Sequence, residues 1–139
     1  MMPATFMGTT TAGGTPGCCG VAFEIPTGGG SEKTLYSFSG GRDGANPVAG
    51  VIRDSKGNFY GTTEVGGGSG KGCRKKLFGN GCGTVFKLTR DGQETVLDSF
   101  YTNHGQLPEA PLLLLKGALF GTTSEGGASN DGVIFEVKQ

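Results

Sequence analysis

Apolar and polar positions along this chain alternate in short runs, and no stretch repeats at helical spacing. GVAFEI (20–25), GTVFKL (83–88) and GVIFEV (132–137) each open on glycine and then alternate. A period of two marks a strand with one face buried. This reading places Val21 or Val85 on one face together with Phe23 or Phe86. KTLYSF (33–38) and ETVLDSF (94–100) form a second set of strands, both closing on Ser-Phe. DGANPVAGVI (43–52) and HGQLPEAPLLL (104–114) form a third, sharing Gly, then Pro, then x-Ala-x and an aliphatic pair. The fourth set is an aromatic strand running into GTTxxGG: FMGTTTAGG (6–14), FYGTTEVGG (59–67) and LFGTTSEGG (119–127). Glycine recurs so often that a helix would lose about 1 kcal/mol at each occurrence. The chain is all-β.

Laid over one another, the four sets make one cycle of short strands, repeated along a single domain, 1–139, with copies at about 4–42, 43–103 and 104–139. RDGQ (90–93), SKGN (55–58) and the Lys116-Gly117 pair supply the hairpin turns, because their residues tolerate positive φ. Pro47 and Pro108 are expected at strand starts, where no ladder donor is lost. In GTTxxGG the first glycine lets a neighbouring ring or backbone approach, the threonines favour extended backbone, and Gly-Gly turns the chain out of the strand. The motif recurs without a histidine, cysteine or carboxylate at a fixed place, so it reads as the mould of a structural unit.

The run x-[FL]-[FY]-G-T-T-x-x-G-G, then C-G-T-V-F-K-L, T-x-L-x-S-F and D-G-x-x-P-x-A, resembles the GloVer tandem repeat over nearly the whole chain, most closely over residues 43–100. The resemblance implies a bacterial protein, secreted or attached to the cell surface. It carries no catalytic residue and no cofactor onto this sequence. By analogy of fold, the four-strand unit is similar to a β-propeller blade. The chain opens on a second strand (4–10) and closes on a third (132–138), so it holds about two and a half blades. A repeat cannot bury its apolar side alone. The expected partner is therefore a second copy, a two-fold dimer closing a five-bladed or six-bladed ring, or else further repeats of a longer array.

Formal charge is zero, with 12 basic and 12 acidic residues, which speaks against a nucleic-acid partner. The longest apolar run, Leu112–Leu115, is far short of a membrane span. MMPATFMGTT has neither the basic nor the apolar region of an export signal. Glycine supplies 29 residues, but nine Phe and three Tyr at regular places exclude a disordered chain.

Copy two carries an insert, GGSGKGCRKKLFGNGC (67–82), bracketed by Cys73 and Cys82. Their spacing suits a disulfide closing the loop, which fits an oxidising, extracellular setting. Cys19 aligns with Cys82, and its neighbour Cys18 is expected to be a poor partner because vicinal pairing strains the backbone. No CxxC knuckle is present, so no metal site is assigned. Arg74, Lys75, Lys76 and Phe78 in the insert are the candidate binding residues, for a carbohydrate or surface polymer.

No catalytic residue is assigned. His104, the sole histidine, occupies the place of Asp43 in the repeat and reads as a turn residue. Asp43, Asp54 and Asp91 stand beside turn residues. Glu24 and Glu136 match across copies where Lys87 stands in copy two. The expectation is a non-enzymatic structural or binding module. Its rivals are a carbohydrate-active enzyme with two carboxylates in a cleft near the ring axis, and a fragment that folds only by self-association.

Overall fold

The computed structural model describes residues 4–15, 17–68, 73 and 81–139. Ten strands form three antiparallel sheets in chain order. The first holds β1 (Thr5–Thr10), β2 (Val21–Pro26) and β3 (Lys33–Ser37). The second holds β4 (Ile52–Arg53), β5 (Phe59–Thr63), β6 (Thr84–Leu88) and β7 (Glu94–Ser99). The third holds β8 (Leu113–Leu115), β9 (Ala118–Thr122) and β10 (Ile134–Lys138). Among the described residues the sole helical element is a 3-10 turn, Thr102–His104. Each sheet is a meander, because strands consecutive in the chain lie side by side. At Lys116-Gly117 both central residues have positive φ (51° and 82°), and Leu115 pairs directly with Ala118 across the turn. The first sheet starts at a second strand and the third stops at a third strand, as the strand count predicts.

The register explains the recurring letters. Gly8 pairs with Phe23, Gly61 with Phe86 and Gly121 with Phe135. In each pair the phenyl ring lies over the glycine. A Cβ placed on Gly8 would come 2.6 Å from Cζ of Phe23, and one on Gly61 would come 2.7 Å from Cζ of Phe86. At Gly121 the clash with Phe135 would be closer still. Glycine is there because the ring occupies the space of a side chain.

The second threonine of each motif then pins the strand exit. Thr10, Thr63 and Thr123 donate Oγ1 hydrogen bonds to the carbonyls of Ala12, Val65 and Glu125, at 2.8, 3.0 and 2.9 Å. The same oxygens accept from the amides of Val21, Thr84 and Val133, at 3.2, 3.1 and 3.0 Å. The first threonine reaches the next repeat: Thr9 donates to the carbonyl of Ala49 and Thr62 to that of Pro108.

The sheets stack by opposite faces. One face of each, the glycine face, carries the glycine–phenylalanine pair. That of the second sheet (Phe59, Phe86, Leu88) packs on the far face of the first (Met7, Ala22), with Phe38 edge-on to Phe86 at 5.1 Å. That of the third sheet (Leu119, Phe135, Val137) packs on the far face of the second (Ile52, Tyr60, Val85), with Phe100 edge-on to Phe135 at 4.8 Å. Burial of these aromatic and aliphatic side chains is the main favourable term, each contributing about 1.5–3 kcal/mol.

Three expectations need correction. Val85 does not share a face with Phe86: the two are neighbours in an alternating strand, and Thr84 is the counterpart of Val21. Pro47 and Pro108 lie in loops ahead of β4 and β8. There Cδ of each packs over a glycine of the preceding repeat, Gly20 and Gly83, leaving no room for a side chain. Cys18 and Cys19 are joined in a disulfide. Gly17 and Gly20 on either side adopt φ of 95° and 93°, which bends the chain so that adjacent side chains converge.

Candidate functional site

Cys73 and Cys82 are paired, as their spacing suggests, with Cα atoms 5.1 Å apart. Cys82 is buried, and its carbonyl accepts from the amide of Leu107 at 3.0 Å, so this disulfide anchors the base of the insert to the contact between the second and third sheets. Cys19 does the same one repeat earlier, accepting from Asn46 at 2.9 Å. With both disulfides formed, no cysteine is free. Arg74, Lys75, Lys76 and Phe78 lie outside the described residues. Replacing Cys73 with Ser is expected to remove about 2–3 kcal/mol of stability, because the closed loop no longer restricts the unfolded chain. Urea midpoints of the variant and the oxidised parent measure this.

Three groups of ionisable side chains stand apart from the repeated motif. Asp54 caps the turn into β5: its Oδ1 accepts from the amides of Lys56 and Asn58, both at 2.9 Å. Its Oδ2 accepts from the Asn58 amide group at 2.9 Å and from the Tyr60 hydroxyl at 3.0 Å. Burial alone would raise its carboxyl, but the hydrogen bonds from Asn58, Tyr60 and Lys56 outweigh it and hold the group below its ordinary value. Tyr60 is pushed up to about 12 by burial, then by the hydrogen bond to Asp54. This is turn chemistry. Asp91 likewise serves its own turn by accepting from Thr89 Oγ1.

The second group sits between the first two sheets. Asp43 accepts from the amide of Ser39 at 2.7 Å, from the Ser39 hydroxyl, and from the hydroxyl of Tyr36 at 3.0 Å. The Tyr36 hydroxyl is driven well above its ordinary value by burial, then by the Asp43 charge. Glu94, at the start of β7, is raised to about 7 by burial first and the charge of Asp43 second. Its Oε1 is buried with no hydrogen-bond partner. The folded-state value exceeds the ordinary 4.5, so the protonated form is favoured by folding. The associated stability is complete below about pH 4.5 and is lost as pH rises through about 7. Glu94→Gln, which stays neutral, is expected to flatten this fall and to unfold at higher urea than the parent at about pH 8. Urea midpoints at about pH 4 and about pH 8 check it.

The third group lines a cleft of about 310 Å³ beside β10, formed by Asp98, Phe100, His104, Ile134, Phe135 and Glu136 among others. Asp98 stands where the first copy has Tyr36, and His104 where it has Asp43. At the earlier contact β7 brings Glu94 against this place, whereas β10 has an open outer edge. His104 closes the 3-10 turn and stacks on Tyr101 at 4.5 Å, which agrees with its reading as a turn residue. Glu24 lies on β2, paired with Lys33 at 3.6 Å, on a different sheet from Glu136.

Repeat alignment singled out His104 and Glu136 but passed over Asp98 and Glu94. The substitution of Asp98 for Tyr36 is visible in ETVLDSF against KTLYSF. Glu94 gave no sequence signal, because its environment comes from a neighbouring sheet. Among the described residues no group of three or more His, Cys, Asp or Glu is placed to share a metal ion. No helix of the described residues is long and apolar enough to cross a membrane. A model of the Gloeobacter/Verrucomicrobia repeat matches residues 4–139. No curated protein and no solved structure matches the chain.

Proposed function

The chain belongs to the Gloeobacter/Verrucomicrobia repeat family, and from that premise we propose that it is a non-enzymatic, self-associating scaffold module of a bacterial surface or secreted protein. One observation carries this reading. In GTTxxGG, the glycine beneath the ring and the second threonine are engaged in strand and turn contacts in all three copies, and the first threonine bonds to the next repeat in copies one and two. None of the ionisable groups occupies a position repeated with the same chemistry in all three copies. The two disulfides suit an oxidising compartment. The basic insert is the part of the scaffold offered to a ligand, an acidic carbohydrate or surface polymer, through Arg74, Lys75, Lys76 and Phe78. Co-sedimentation with polygalacturonate tests this. Binding should weaken with salt and fail in the Arg74→Ala/Lys75→Ala/Lys76→Ala variant. Equal binding by that variant overturns the ligand assignment.

A carbohydrate-active enzyme is the second reading, favoured by Asp98 and Glu136 facing one cleft with His104. Release of reducing ends from a polysaccharide panel, abolished by Asp98→Asn or Glu136→Gln, would establish it and sink the non-enzymatic proposal.

A further inference from the structure

The two inter-sheet contacts are one contact made twice, and each end of the stack presents the half that the other lacks. We propose that the glycine face of the first sheet binds the far face of the third sheet on a second copy, so that two chains close head to tail into a ring of six sheets. This rests on the self-associating scaffold reading and names the surfaces that carry it.

Equivalent residues supply the argument. Phe6, Phe59 and Leu119 occupy the same position on the glycine face of successive sheets. Phe59 and Leu119 are buried because a preceding sheet covers them, whereas Phe6, at the head of the stack, is 58 % exposed. Ala22, Val85 and Ile134 occupy the same position on the far face. Ala22 and Val85 are buried beneath a following sheet, while Ile134, at the tail, is 83 % exposed. Leu113, the counterpart of the partly buried Ile52, is 60 % exposed. Leu115 is also exposed, and Leu113, Phe120 and Ile134 line a shallow apolar groove there. The head face offers Phe6 and Phe23, whose rings are 6.1 Å apart, with Ile25 beside them.

An apolar surface that the chain buries at two internal contacts is a binding surface where it lies bare. The occupant that matches the tail is the head of another copy, since its Phe6 is the counterpart of Phe59 and Leu119. Such a contact is heterologous, and it makes a closed assembly only if the rotation from sheet to sheet returns to its start. Six sheets fall within the roughly four to eight of closed radial stacks. Two copies are therefore the closing number.

Light scattering over a wide dilution series tests this on the oxidised chain, with Phe6→Glu and Ile134→Glu as variants at exposed positions that leave each fold intact by circular dichroism. The parent is expected at about twice the 14.1 kDa of one chain. Each variant alone should fall to a single chain, because either change spoils both contacts of the ring. Mixing the two should restore a two-chain species, since the head of Ile134→Glu and the tail of Phe6→Glu are both intact. A parent that stays at 14.1 kDa at every concentration removes the self-association itself. A two-chain parent that Ile134→Glu dissociates and Phe6→Glu does not leaves self-association standing but overturns the head-to-tail pairing in favour of tail to tail. Mass that climbs without limit overturns the closed ring.

Discussion

Phe86→Ala is expected to lower the free energy of unfolding by about 3–5 kcal/mol, a large part of what a domain of this size possesses. Phe86 is fully buried in the central sheet. Its ring covers Gly61 on one side and meets the edge of Phe38 from the first sheet on the other. Truncation therefore opens a cavity at the contact between two sheets and also uncovers a strand glycine. Neither loss can be repaired by collapse, because β5, β6 and β7 are held by their ladders. Phe135→Ala, one repeat later, is expected to cost less, because Phe135 is only partly buried and β10 has an open edge. Urea unfolding of both variants gives the comparison. Equal losses would contradict the account of why Phe86 matters.

Gly61→Val is the second large effect, with a loss of about 3 kcal/mol or failure to fold. A side chain at this position meets Cζ of Phe86 at 2.7 Å and Cγ1 of Val51 at 3.0 Å. Both neighbours are packed, so the ring would have to leave its place over the strand. Gly28→Ala is the control: its Cβ would meet nothing within 4 Å, and no loss beyond about 0.5 kcal/mol is expected. Soluble yield and thermal midpoint separate the two. A stable Gly61→Val would show that the recurring glycine has another purpose.

Much of this architecture is readable in the letters, for a physical reason. Alternation in GVAFEI and GTVFKL reports which side chains share a face, and the turn residues of SKGN and RDGQ report where strands reverse. Gly57 and Gly92 both adopt φ of 87° at those turns, as the dipeptides suggest. The role of Gly61 was legible because only a close neighbour explains glycine inside a strand. The identity of that neighbour was not, since it depends on the register that sets Gly61 against Phe86. The Val85 assignment failed from a single-residue slip, which moves a side chain to the other face. The Cys18–Cys19 bridge was missed because vicinal strain was weighed without the positive-φ glycines that surround the pair.

The ionisable groups were the least legible. Glu94 looks like an ordinary strand-edge carboxylate, and only the approach of Asp43 and Tyr36 from the first sheet distinguishes it. The cleft of Asp98, His104 and Glu136 exists because β10 has an open outer edge, where the second sheet has β7. That is a property of packing between copies, which a repeat alignment cannot display. The pairing of Cys73 with Cys82, by contrast, follows from spacing along the chain and was read correctly.

GTTxxGG is one mould used three times, with a phenyl ring seated over its first glycine. The most direct measurement is the proton NMR spectrum of the folded chain, assigned at Gly8, Gly61 and Gly121. Ring currents from Phe23, Phe86 and Phe135 should shift an α-proton of each glycine strongly upfield, and each should show a nuclear Overhauser contact to its own ring. Ordinary glycine shifts at all three positions, without ring contacts, would contradict the account.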